Sequence, residues 1–242
     1  MMRIDKFLAD CGIGTRSEVK KYIKAKQITV NGEIIVKPDQ KIDENSDVIC
    51  FKGQEISYEK YVYYLFHKPA GCVTAKQDNV HKTVMEYFPD EIRSKEIAPV
   101  GRLDLDTEGL LLFTNDGPLT HHLLSPTHHI PKTYYAILDK EVPVSAIELF
   151  KTGVDIGDDK LCLPSELNIL PIFINGANEK IYSAELTIHE GRFHQVKRMF
   201  EAVGCTVTYL KRLSMGSLVL NDLEKGEFRK LAEDEIIRLQ NC

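Results

Sequence analysis

Arg102 and Asp104 stand two residues apart in the run Gly101-Arg102-Leu103-Asp104-Leu105-Asp106-Thr107-Glu108-Gly109. Apolar segments flank it, Ile97-Ala98-Pro99-Val100 before and Leu110-Leu111-Leu112-Phe113 after. Short apolar runs bounded by turn residues read as strands, so Asp104 is expected at the edge of a buried sheet. A carboxylate in that setting is costly unless it has a partner or a task. One reading is catalysis. Another is a capped turn in which Asp104 accepts bonds from backbone N–H groups. A third is a D-x-D metal site with Asp106, since alternate residues of an extended chain share a face. No third carboxylate or histidine ligand stands nearby at recognisable spacing, which weakens the metal reading. Residue types alone leave the first two open.

The elements around this run can be read from periodicity. Ile4, Phe7, Leu8 and Cys11 form a helical stripe that Gly12 stops, and Val19, Tyr22 and Ile23 form the next stripe, with Ser17 as its expected N-cap. Lys20, Lys21 and Lys24 then point largely outward. Ile28-Thr29-Val30-Asn31-Gly32-Glu33-Ile34 reads as a hairpin around an Asn-Gly turn, residues 37–47 as a polar loop, residues 48–51 as a last strand and residues 54–60 as a linker. Beyond it, strands are expected at 61–66, 133–138, 183–188 and 207–210, and helices at 144–152 and 193–203. In the latter, Phe193, Val196, Phe200 and Val203 are expected to face the core. Strands and helices without a strict βαβ rhythm predict an α+β fold on a mixed, largely antiparallel sheet.

Composition narrows the function classes. The chain has 242 residues, of which 43% are hydrophobic, which can supply a sizeable core. No apolar run nears the ~20 residues of a membrane span, and the start lacks a signal peptide's hydrophobic region, so a soluble, cytoplasmic protein is expected. Six scattered cysteines without a C-x-x-C read as reduced thiols. The doublets His121-His122 and His128-His129 diverge in direction, which disfavours a metal site, and neither metal nor cofactor is expected. A net charge of −5 requires any RNA affinity to come from local patches. Two are present: Arg16, Lys20, Lys21, Lys24 and Lys26 near the start, and Arg192, Lys197, Arg198, Lys211 and Arg212 near the end.

The run from Gly101 to Gly117 closely resembles the signature of RNA pseudouridine synthases of the RsuA type. Lys68-Pro69-Ala70-Gly71-Cys72-Val73-Thr74, Lys132-Thr133-Tyr134 and Glu190-Gly191-Arg192-Phe193-His194-Gln195-Val196-Lys197-Arg198-Met199-Phe200 match the same family in order. The N-terminal helices and hairpin look like an S4 RNA-binding domain. The resemblance implies an S4-like domain over 1–58 and a catalytic domain over 59–242. It also implies Asp104 as the catalytic residue and Arg102 filling the space a flipped base leaves. Tyr134 would stack on the uracil, and Lys197 would pair with Asp104 and aim its charge. The RNA contacts implied are Arg16, Lys20, Lys21, Lys24, Lys26, Arg192, His194, Gln195 and Arg198, and Leu213 and Gly216 are expected as pocket wall. The partner is then ribosomal RNA, and the chain is expected to act as a monomer. Leu124-Ser125-Pro126-Thr127-His128-His129 and the lysine at 197 lean toward the small-subunit branch, hence 16S rRNA at the uridine the family numbers 516. The alternatives are a 23S enzyme of the same family, an assembly factor whose site has decayed, and a metal-dependent sugar transferase.

Overall fold

Ile4, Phe7 and Leu8 are the buried face of a helix, Ile4–Asp10, and Gly12 leaves it with φ +75°, as the spacing predicts. The second helix, Arg16–Lys24, starts one residue before the expected cap. Its N-cap is Thr15, which closes a reciprocal capping box with Glu18. The T-x-x-E spacing that encodes the box is present in the sequence, and it outcompetes Ser17 because two N–H groups are satisfied instead of one. Val19 and Ile23 are buried, whereas Arg16, Lys20, Lys21, Lys24 and Lys26 are exposed.

The hairpin Ile28–Val30 and Glu33–Ile34 turns through Asn31 and Gly32, both with positive φ. Lys52 and Gly53 repeat this device. They join Ile49–Phe51 to Gln54–Glu55, so the first two residues of the expected linker are a strand. Within the expected polar loop, Lys41–Ile42 pairs with Met2–Arg3. The computed structural model describes residues 1–44, 46–56 and 59–242. They divide into Met1–Val62 with Pro89–Ile97 and Tyr63–Phe88 with Ala98–Cys242. The expected boundary after residue 58 and the linker residues Ser57 and Tyr58 lie outside the described residues. No sequence signal assigned 89–97 to the first unit.

The larger unit is α+β. Its main sheet orders the strands Glu166–Ile169, Lys180–Ile188, Lys132–Leu138, Val207–Met215, Glu108–Thr114, Tyr63–Lys68 and Phe228–Lys230. Neighbours along this path are antiparallel except Val207–Met215 beside Glu108–Thr114, which run parallel. Several strands exceed their expected lengths, Val207–Met215 most of all, because charged residues at 211 and 212 interrupt the apolar pattern there. Glu108–Thr114 is buried along its whole length, so its near-continuous apolar run reports a central strand.

The parallel junction depends on one glycine. Gly109 has φ +110°, and a Cβ there would lie 2.2 Å from the Arg212 carbonyl oxygen. No L side chain accommodates both the backbone and that approach. Gly109→Ala is therefore expected to destabilise the chain by roughly 3–5 kcal/mol, checked by urea unfolding. A loss under ~1 kcal/mol would show that the junction relaxes freely.

Candidate active site

The loop from Arg102 to Thr107 enters the central strand and is held from beneath by the segment after Tyr63–Lys68. Lys68 is fully buried, and its ammonium donates to the carbonyls of Asp104 (2.9 Å), Thr107 (2.9 Å), Pro69 (3.1 Å) and Leu105 (3.4 Å). Burial pushes its pKa down. The Gly71 N–H donates to the Leu105 carbonyl (2.8 Å), and the Thr74 hydroxyl both donates to the Leu103 carbonyl and accepts from the Leu103 N–H. Lys68, Gly71 and Thr74 therefore fix the backbone that carries Asp104. Sequence reasoning used this segment only for its resemblance and missed that work.

Asp104 meets two basic side chains. The His194 Nε2 is 3.6 Å from Oδ1, and the Lys197 Nζ is 3.4 Å from Oδ2. Lys197 makes its shorter bonds elsewhere, at 2.7 and 2.8 Å to the two oxygens of Asp106. The contact expected with Asp104 is thus the longer arm of a bridge over both carboxylates. Burial works against ionising Asp106, but the bond and charge of Lys197, a backbone hydrogen bond and nearby His194 together outweigh it and hold that carboxyl below the usual range. Arg102 is exposed and makes no ion pair with Asp104 or with any other described carboxylate.

Lys197 reaches the loop because its helix, Gln195–Ala202, begins after His194, which has φ +50°. Val196, Met199 and Phe200 are its buried stripe. Phe193 precedes the helix and so falls out of register: it is 71% exposed and stacks on the His194 ring at 3.8 Å, not on the core as expected.

A cavity of 710 Å³ joins these groups, and Arg102, Asp104, Tyr134, His194 and Lys197 all line it. Tyr134 is buried and pairs across the sheet with Arg212. The wall near the C-terminal basic cluster is Leu210 and Arg212, rather than Leu213 and Gly216. A Cβ at Gly216 would instead face Cys242, Ile130 and Leu239.

Several residues expected on RNA are bound to protein. Gln195 is 3% exposed, and its amide bonds Glu190 and the Arg192 N–H. Arg192 donates to Glu190 and to the carbonyls of Lys160 and Leu161. Arg198 pairs with Asp158 and donates to the carbonyls of Ile156 and Phe193. A basic run does not disclose acidic partners some 40 residues away in sequence, so these side chains shape the rim. His122 and His128 pack ring to ring at 4.0 Å, and among the described residues no three metal-ligating side chains cluster.

Residues 62–202 match the RNA pseudouridylate synthase family, and residues 2–48 match the S4 domain. The chain belongs to the RNA pseudouridylate synthase family. It is 40% identical to "Uncharacterized RNA pseudouridine synthase YtzG" of Bacillus subtilis (strain 168), covering 97% of each chain. It is 37% identical to the ribosomal small subunit pseudouridine synthase A of Haemophilus influenzae, covering 98% of this chain and 99% of that one. The ribosomal large subunit pseudouridine synthase B of B. subtilis is 35% identical over 99% of this chain and 96% of its own. A crystal structure of a pseudouridylate synthase superposes with a TM-score of 0.67 at 36% identity, covering 99% of this chain and 100% of that one. The chain is thus a pseudouridine synthase with an N-terminal S4 domain. Among the described residues, no helix is long and apolar enough to cross a membrane.

One cation of the synthase cavity lowers its stability. Burial, with Arg212 nearby, pushes the Lys132 ammonium down to about 8. An unfolded lysine titrates near 10.4, so below pH 8 the native state carries the full cost of the buried charge. That cost fades as pH rises from about 8 to 10.4. Lys132→Met is therefore expected to raise Tm by about 5 °C at pH 7, with the gain shrinking above pH 8 in paired thermal melts. A lower Tm for the variant at pH 7 would contradict the sign.

Proposed function

We propose that this chain isomerises one uridine to pseudouridine in ribosomal RNA, in 16S rRNA at the position the family numbers 516, with Asp104 as the catalytic group. The carrying observation is geometric. Asp104 lines the cavity beside buried Tyr134, between His194 and Lys197, on a loop that Lys68 clamps. Pseudouridine formation breaks the N-glycosidic bond, turns the base and rejoins it through carbon. That requires a carboxylate, an aromatic face for the detached base and a water-poor pocket that retains it.

Tyr134 supplies the face, since stacking a base on an aromatic ring contributes about 1–3 kcal/mol. Arg102, which pairs with no carboxylate among the described residues, occupies the place the extruded base leaves, offsetting part of the few kcal/mol that extrusion costs. Lys197 holds Asp104 and Asp106 together and aims the former. Residues 1–58 dock the RNA through Arg16, Lys20, Lys21, Lys24 and Lys26, residues 59–242 carry out the chemistry in a monomer, and His194, Arg192 and Arg198 border the RNA at the rim. Gln195 acts by holding that rim.

The small-subunit assignment is supported by the 37% identity to a small-subunit enzyme and by the residues around 124–129. The test uses 16S and 23S transcripts labelled with tritium at uridine C5, with and without EDTA. One tritium released per 16S molecule, indifferent to EDTA, is expected. Release from 23S alone would overturn the substrate, and sensitivity to EDTA would overturn the metal-free chemistry.

A further inference from the structure

Three buried polar side chains of the cavity lack a full set of partners among the described residues. Arg212 is 2% exposed. Its Nε donates to the Leu110 carbonyl at 2.8 Å, while its Nη2 has no acceptor among the described residues. The Thr107 hydroxyl, also 2% exposed, is likewise unpartnered. Lys132 is 8% exposed, donates to the Ile130 carbonyl at 2.8 Å, and has no carboxylate within ion-pair distance among the described residues. All three line the cavity that holds Asp104 and Tyr134.

Their placement is set by the sheet. Tyr134 and Arg212 are directly opposite on neighbouring strands, so their side chains share a face. Lys132 precedes Tyr134 by two residues on a strand whose burial alternates strictly, which puts it on that face too. Two desolvated cations and a hydroxyl thus surround the face on which a stacked base would lie. Buried cations without carboxylates are costly, so a group of this kind calls for a negatively charged occupant.

We propose that Lys132, Arg212 and Thr107 receive the departing uracil and neutralise the charge it acquires. This rests on the uridine-isomerase reading. When the C1′–N1 bond breaks, its electron pair leaves with the base, giving a uracil monoanion whose charge spreads over N1, O2 and O4. The two cations stabilise that charge in a site of low dielectric, and the Thr107 hydroxyl bonds the polar edge of the base. The base then turns, C5 bonds to C1′, C5 loses a proton and N1 gains one. The proton count balances without a co-reactant. A phosphate is the other anion RNA could present. The cations are too deeply buried for a phosphodiester tethered to riboses on both sides, whereas the edge of an extruded base can reach them.

The test is single-turnover kinetics of the full-length protein on RNA that the wild type modifies, with target uridine or with 5-fluorouridine at the same position. Fluorine withdraws electrons and makes the base a better leaving group. Lys132→Met and Arg212→Met are expected to slow loss of the N-linked nucleoside about 10²-fold at saturating RNA, with Kd within threefold. Lys132→Arg should recover most of the rate, and 5-fluorouridine should shrink each defect at least tenfold. If Arg212→Met fails to fold, the two Lys132 variants decide the matter. Rates within twofold of wild type would overturn the inference, as would a defect unchanged by the fluorine. A defect confined to Kd would assign the group to a phosphate and also overturn it. Asp104→Asn run alongside separates the two levels: wild-type turnover in that variant refutes the isomerase reading itself, whereas failure of the Lys132 and Arg212 results alone leaves it standing.

Discussion

Asp104→Asn is expected to lower the single-turnover rate of pseudouridine formation by about 10³-fold or more while leaving RNA affinity within a fewfold. The substitution keeps the shape of the side chain and removes the carboxylate that lies beside both His194 and Lys197 in the cavity. Losing a group at the centre of bond breaking costs several kcal/mol of transition-state stabilisation, at 1.36 kcal/mol per tenfold. Affinity should survive because it comes from dispersed phosphate contacts. The backbone should survive as well, since Lys68 binds the carbonyls of the loop and not its carboxylates. Tritium release over time, with filter binding on the same preparations, separates the two quantities. Turnover within tenfold of wild type would remove Asp104 from the mechanism.

The second large effect is expected in the first helix-rich unit. Replacing Arg16, Lys20, Lys21 and Lys24 together with glutamine removes four exposed cations from one helix and leaves its buried face, Val19 and Ile23, intact. Glutamine has nearly the helix propensity of lysine, so the fold should persist. If each cation neutralises one phosphate, the plot of log affinity against log salt becomes shallower by about 3, and affinity at 0.1 M salt falls roughly 10²- to 10³-fold. Binding titrations at four salt concentrations measure both. An unchanged slope would make these side chains a solvated face without RNA.

How much of this was legible before the structure depended on whether the deciding interaction was local. Helical stripes, the Asn31-Gly32 turn and the central strand depend on neighbours within a few residues, and they stand close to where periodicity puts them. The Thr15 cap was equally local, and its T-x-x-E spacing would have identified it. Long-range partners could not be read. Lys197 favours Asp106 over Asp104, and Arg192 and Arg198 both meet Asp158, because loops far apart in sequence meet at the rim. Phe193 left the core for a different reason: His194 adopts a left-handed backbone, which delays the helix by two residues and breaks the assumed register. Thr107 and Lys132 stood out only as parts of matched segments and Arg212 only as part of a basic patch, and it is the fold of the sheet that brings them to one cavity. The flanking pattern put Asp104 at the edge of a sheet and the resemblance singled it out, whereas the floor beneath it could not be read.

Site-specific uridine isomerisation through Asp104 has its sharpest readout in cells lacking the gene. They are complemented with the wild type or with Asp104→Asn, and pseudouridines are mapped on both ribosomal RNAs by carbodiimide-block primer extension. One stop in 16S rRNA is expected to disappear with the gene, to return with the wild-type chain and not to return with Asp104→Asn. A stop that returns with Asp104→Asn, or a full set of stops in cells without the gene, would contradict it.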